Sequence, residues 1–162
     1  MLEHVLLSVH VLAGIVFVGG SAVATSLFPR YVPVASGGQG DGQGDGQGEP
    51  PPGPGERNRS VAVALHRITG GYAAFGLIVP LAGIILASVQ GRMGEIWITV
   101  SMILTAVAGA LLATQIYPRQ RAALSEPGDE RPLRVMSMLA GFYNLAWAVV
   151  VVLMIVRPGA GD

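Results

Sequence analysis

Apolar positions along this chain do not alternate with polar ones at the period of a surface helix or a half-buried strand. They run together in four stretches, at about 5–28, 68–89, 96–117 and 135–156. Each approaches the roughly 20 residues that cross a ~30 Å hydrocarbon core, and none holds Asp, Glu or Arg in its interior. An amphipathic helix of a soluble protein keeps a polar face, and these stretches have none. The pattern predicts an all-α fold, a single polytopic membrane domain of four bundled helices over 1–162, with the lipid bilayer as its main partner.

Between the first two stretches, 36–55 repeats Gly-Gln-Gly-Asp and ends in prolines. Such a segment has no apolar area to set against its ordering entropy, so it reads as a disordered Gly/Pro-rich linker. A calcium-binding repeat would need a large apolar residue in each unit to build its β-roll, and none is present. Ala22-Val23-Ala24 has the small-residue form of a signal-peptidase site, but nothing basic precedes the apolar run, so the first stretch is expected to stay as a span.

Arginines set the expected orientation. Arg30, Arg57, Arg59 and Arg67 flank the first long loop, and Arg119, Arg121, Arg131 and Arg134 flank the third; the other side has Arg92 and Arg157. The positive-inside rule then puts both long loops in the cytoplasm of a bacterial plasma membrane and both termini outside.

In lipid, small and polar residues mark the faces on which helices meet. The second helix has Thr69, Ala73, Gly76, Pro80, Gly83 and Ala87 on one stripe, and Pro80 is expected to kink it. The first helix has His10, Gly14, Phe17, Ser21 and Thr25; the third Ser101, Thr105, Leu112 and Gln115; the fourth Ser137, Gly141, Asn144 and Ala148. Of these, Gly14, Gly76, Pro80, Gly83, Gly141 and Asn144 are the expected packing positions. Tyr143 and Trp147 are read as packing too. A small-residue face would serve a homo-oligomer or a membrane-protein partner as readily as the chain's own bundle. Thr25-Ser26-Leu27-Phe28-Pro29-Arg30 closes the first apolar stretch and Thr114-Gln115-Ile116-Tyr117-Pro118-Arg119 the third. Either two related hairpins or ordinary boundary chemistry accounts for the likeness.

Composition narrows the chemistry. Charged residues are 12% of the chain, about half the usual share. The formal net charge is zero, which removes the electrostatic footprint of a nucleic-acid binder. With no cysteine, disulfides, thiolate catalysis and Cys-bound metals are excluded. No carboxylate lies within a span to relay protons, no Ser-His-Asp set shares a face, and no phosphate-binding loop opens a helix. No catalytic residue is assigned.

His10 is the ionisable group inside a span, which makes it the default functional candidate. A haem shared with His66 is ruled out by depth: His10 is ~7 Å inside the outer end and His66 sits at the other end, ~20 Å away. His4, His10, Met93, Met102 and Met154 gather at the outer side, and imidazole with thioether suits copper(I) or His/Met haem. His10 and Met102 are the candidate metal ligands from that set, against a background in which membrane methionines mostly fill space.

The run His10-Val11-Leu12-Ala13-Gly14-Ile15-Val16-Phe17-Val18-Gly19-Gly20 resembles the first-helix signature of a broad group of small bacterial membrane proteins. That signature has a His near the helix start, then an aromatic, usually Trp, and Gly-Gly; here Phe17 takes the aromatic place. The group includes CopD-type copper-resistance proteins, HemJ-type protoporphyrinogen oxidases and several integral membrane families of unknown function, and the four-span length, Leu65-His66-Arg67 and Tyr117-Pro118-Arg119 make the chain look most like the last. The resemblance implies copper handling in the first case, and haem b with porphyrinogen oxidation in the second, both through His10. The reading of the residues themselves is a structural or accessory membrane protein without enzyme activity. Its rivals are a haem b or copper protein at His10 and a small transporter using Asn144 or Gln115. Deleting 36–55 is expected to leave insertion and folding intact, as measured by membrane yield and melting temperature; loss of folded protein would overturn the linker reading.

Overall fold

The computed structural model describes residues 1–34, 58–76, 78–126 and 130–159. The linker expected at 36–55 lies outside these residues. The described residues form helices α1 (Leu2–Tyr31), α2 (Arg59–Phe75), α3 (Ile78–Val89), α4 (Ile96–Leu111), α5 (Tyr117–Ser125) and α6 (Glu130–Val156), with a π-helical turn at Leu112–Ile116 joining α4 to α5. Together they make four helices long and apolar enough to cross a membrane: His4–Tyr31, Arg59–Val89, Ile96–Ser125 and Arg131–Val156. The chain is a multi-pass, all-α membrane protein.

The spans outrun the apolar stretches at the Arg-rich end. The first expected boundary motif does not stop its helix at once, since Pro29 sits inside α1 and the helix runs on to Tyr31. The second is carried further, through Pro118 to Ser125. Pro118 has no N–H to give the carbonyl of Thr114. The chain meets this by widening the turn just before it, where Tyr117 N–H bonds Leu112 O, five residues back. In the second span the described helices are α2 up to Phe75 and α3 from Ile78. Pro80 cannot donate to the carbonyl of Gly76, and α2 ends at Phe75, immediately before that residue.

Helix ends are built from local chemistry. Asn58 caps α2 by accepting from the backbone N–H of Ser60 at 2.9 Å and Val61 at 3.3 Å. Past α3, Gly91 takes φ +67 and Arg92 N–H returns to Ala87 O at 3.0 Å, the left-handed glycine stop that turns the chain into α4.

Packing divides the bundle in two. At the end opposite the termini, Ala24, Phe28, Val32, Ala62, Leu65 and Met136 form a closed core. Toward the termini, Phe17, Leu112, Tyr143, Trp147 and Val150 form a second core. Phe17 meets Tyr72 and Trp147 edge-on, with ring centroids 5.3 and 5.7 Å apart. Tyr143 donates to Ser21 Oγ at 2.8 Å in full burial. The inward face of α6 is therefore Met136, Ala140, Tyr143, Trp147 and Val150, one position off the expected stripe. Ser137, Gly141 and Ala148 are exposed, and a Cβ at Gly141 would meet nothing within 4 Å. The bulky aromatics claim the interior because filled volume, not residue size, sets contact in lipid. Tyr143 and Trp147 pack as expected.

Close approach occurs at Gly20 against the Tyr72 hydroxyl, at Gly70 against the Tyr117 ring, and at Gly76. A Cβ at Gly76 would lie 2.7 Å from Tyr72 O and 2.9 Å from Cζ of Phe17. Gly76→Ala is expected to destabilise the detergent-solubilised protein by about 1–3 kcal/mol, the usual result of overpacking a filled core. The melting temperature checks this, with Gly141→Ala unchanged as the control.

Candidate ligand cavity

The start of α1, the end of α6 and the turn after α3 lie at one end of the bundle, and there the helices part. α1 packs against α3 and against α6, and α4 against α6, but α3 and α4 barely touch. The gap is a cavity of about 540 Å³, with walls that are mostly apolar. His10 and Gly14 come from α1, Pro80 and Gly83 from α3, Ser101 and Met102 from α4, and Trp147 and Met154 from α6.

His10 is half-buried on this wall. A Cβ at Gly83 would sit 3.0 Å from its Cε1, so the glycine is what lets α3 come up against the imidazole. Gly14, one helical turn along the same wall, has open space where a Cβ would be. Three buried polar atoms on these walls have no hydrogen-bond partner: His10 Nδ1, Ser101 Oγ and Trp147 Nε1. The Trp147 indole leans toward the Tyr143 hydroxyl without forming an aligned bond. Ser101 is the clearest case. It is 4% exposed, and hydroxyls at Ser8, Thr25, Thr69, Ser88, Thr114 and Ser137 each bond the carbonyl four residues back. Ser101 does not. A buried polar group left in this way costs roughly 1–3 kcal/mol.

The rim at the termini end is charged. Arg92 Nε donates to Glu95 Oε1 at 2.6 Å, and the Trp97 indole N–H donates to the other carboxylate oxygen. The Arg92 guanidinium beside it, with the Trp97 N–H, holds the Glu95 carboxyl below the usual carboxylate range, so it stays ionised at neutral pH. Arg157 reaches over the same Trp97 ring, 6.0 Å from its centroid, and Trp97 and Arg157 both line the cavity.

The structure thus brings His10, Met102 and Met154 onto one cavity. His4 is exposed, and neither it nor the exposed Met93 lines the cavity. Among the described residues there is no group of three His, Cys, Asp or Glu side chains that could hold a metal. His66 lies far from His10: its Nδ1–H donates to Gln120 Oε1 at 3.3 Å and its ring stacks on Tyr117 at 4.5 Å. Gly83, the neighbour of His10, is 17 positions beyond His66 on the second span, roughly 25 Å at 1.5 Å per residue. The two expected transport residues are engaged elsewhere. Asn144 donates to Ser26 Oγ at 2.8 Å, and Gln115 Oε1 accepts from Arg119.

Sequence reasoning passed over Trp97, Glu95 and Arg157 as site residues and took Trp147 as packing alone. The signal was present in the topology: Arg92, Glu95, Trp97 and Arg157 all fall at the ends of spans that meet on the same side. No family model matches the chain, nor does any curated protein or solved structure.

Proposed function

We propose that this multi-pass protein acts by binding rather than by catalysis, holding a small ligand in the cavity between α1, α3, α4 and α6 as an accessory component of a bacterial plasma membrane. The observation that carries the reading is the buried, unpartnered hydroxyl of Ser101 on a cavity wall, with His10 Nδ1 on the facing helix. Buried polar groups are almost always satisfied, and a ligand with polar atoms facing these groups satisfies them.

The distribution of arginines supports an orientation with the cavity rim on the outer side. Arg92 and Arg157 are at that rim, and the remaining arginines flank the long loops. The absence of native cysteine makes this testable. A membrane-impermeant maleimide added to intact cells is expected to label Gly94→Cys and to spare Ser125→Cys; the reverse pattern overturns the orientation.

A second reading is favoured by one observation, the presence of His10, Met102 and Met154 on the same cavity. One imidazole and two thioethers fit copper(I) or a His/Met haem by donor chemistry, as the CopD-like and HemJ-like resemblance would have it. Those three side chains would hold the group, which would supply one-electron chemistry when bound.

Mass spectrometry of the intact detergent-purified protein, with an absorption spectrum and metal analysis on the same sample, separates the readings. An organic mass retained by wild type and by His66→Ala, but lost in the cavity-filling Ser101→Leu, is the expected result. A haem band or stoichiometric copper lost in His10→Ala would establish the second reading instead. A mass retained equally by Ser101→Leu would overturn the cavity as the binding place.

A further inference from the structure

Among the described residues that line or border the rim, Arg92 and Arg157 face the single carboxylate of Glu95, whose field reaches Arg157 without a salt bridge to it. Glu95 has both oxygens engaged, one by Arg92 and one by the Trp97 indole. Arg157 Nε donates to Met154 O at 3.3 Å, and no carboxylate among the described residues forms a salt bridge with the guanidinium. The residue is held in place all the same. Its backbone stands at φ 48, its N–H closes on Leu153 O at 2.9 Å, and its guanidinium lies over Trp97. With Nε engaged, the Nη1/Nη2 edge of the guanidinium is the one that can take a carboxylate or phosphate. Below it the cavity is mostly apolar, with the buried polar atoms of Ser101 and His10 part-way along its walls.

We infer that the cavity takes an amphipathic anion, with an apolar body seated between α1, α3, α4 and α6 and a single oxyanion head held at the rim by Arg157. This rests on the cavity being the binding place. The head is a carboxylate or phosphate in either of two sources, a bilayer amphiphile or a water-soluble aromatic acid. Apolar walls select the body and Arg157 selects the charge, so an uncharged molecule of the same shape binds more weakly.

The chain supplies its own reporter, because it has two tryptophans, Trp97 and Trp147, and both line the cavity. The test titrates the full-length protein in a nonionic detergent, at mildly alkaline pH, with laurate and with dodecanol, reading tryptophan emission. Laurate is expected to saturate the change at about tenfold lower concentration or less, the scale of one charge-assisted contact. Arg157→Gln is expected to bring laurate to the dodecanol level, and Arg157→Lys to restore most of the preference. Equal responses in wild type, or a preference that survives Arg157→Gln, overturn the anion while leaving the cavity in place. Responses to both probes that are undiminished in Ser101→Leu overturn the cavity itself. Benzoate run in parallel identifies the source. Displacement of laurate by benzoate supports an aqueous acid, and a response to laurate alone supports a bilayer amphiphile.

Discussion

The meeting of Phe17, Tyr143 and Trp147 governs the rest of this structure. In lipid there is no hydrophobic force to drive one helix against another, so a bundle is held where packing is densest and where a hydrogen bond crosses it. Both coincide here. Phe17 lies edge-on to Trp147, and one helical turn further along α1 the Ser21 hydroxyl accepts from Tyr143. On one side of this node, four spans close into a filled core. On the other they spread, because α1 and α6 are fixed to each other while α3 and α4 have little to hold them together. The cavity is the consequence of one strong pair of contacts and one weak one.

The same node explains where polarity is tolerated. At the closed end, buried hydroxyls find partners locally: Thr25 and Thr69 return theirs to their own helices, while the amides of Asn144 and Gln120 are each satisfied at one atom and left open at the other. At the open end, Ser101 and His10 Nδ1 do not. Among the described residues the buried hydroxyl left without a partner is that of Ser101, and it lies on the cavity wall.

Much of the fold was legible in the sequence because membrane spans write themselves as uninterrupted apolar runs, and the charges that would mask them are excluded by lipid. Helix count, order and the all-α class follow from that alone. The inward faces were only partly legible. In α1, Phe17, Ser21 and Thr25 stand on the expected stripe and are buried. In α6 the small residues Gly141 and Ala148 suggested one face, whereas Tyr143 and Trp147, one and two turns along a neighbouring stripe, took the interior. Small size marks a face only when a neighbour comes close to use it, as the Phe17 ring does at Gly76; sequence alone shows no partner. The candidate site was half visible. His10 and Met102 could be found as ligand-type residues inside a span. Arg157, Glu95 and Trp97 could not, since near the end of a span charge and aromaticity are ordinary, and only their convergence on one rim sets them apart.

The π turn at Leu112–Ile116 gives the third span a place of slack. Elsewhere along an α-helix, losing one residue swings everything beyond it by about 100° around the axis, which would carry Gln120 and Tyr117 away from His66. The widened turn already holds one residue more than an α turn requires, and Leu112, Ile116 and Gln120 stay buried across it. A one-residue deletion within those five positions converts the π turn to an α turn, and the two ends of the bundle keep their facing surfaces. The cavity and the closed core are thereby free to vary in sequence length independently of one another.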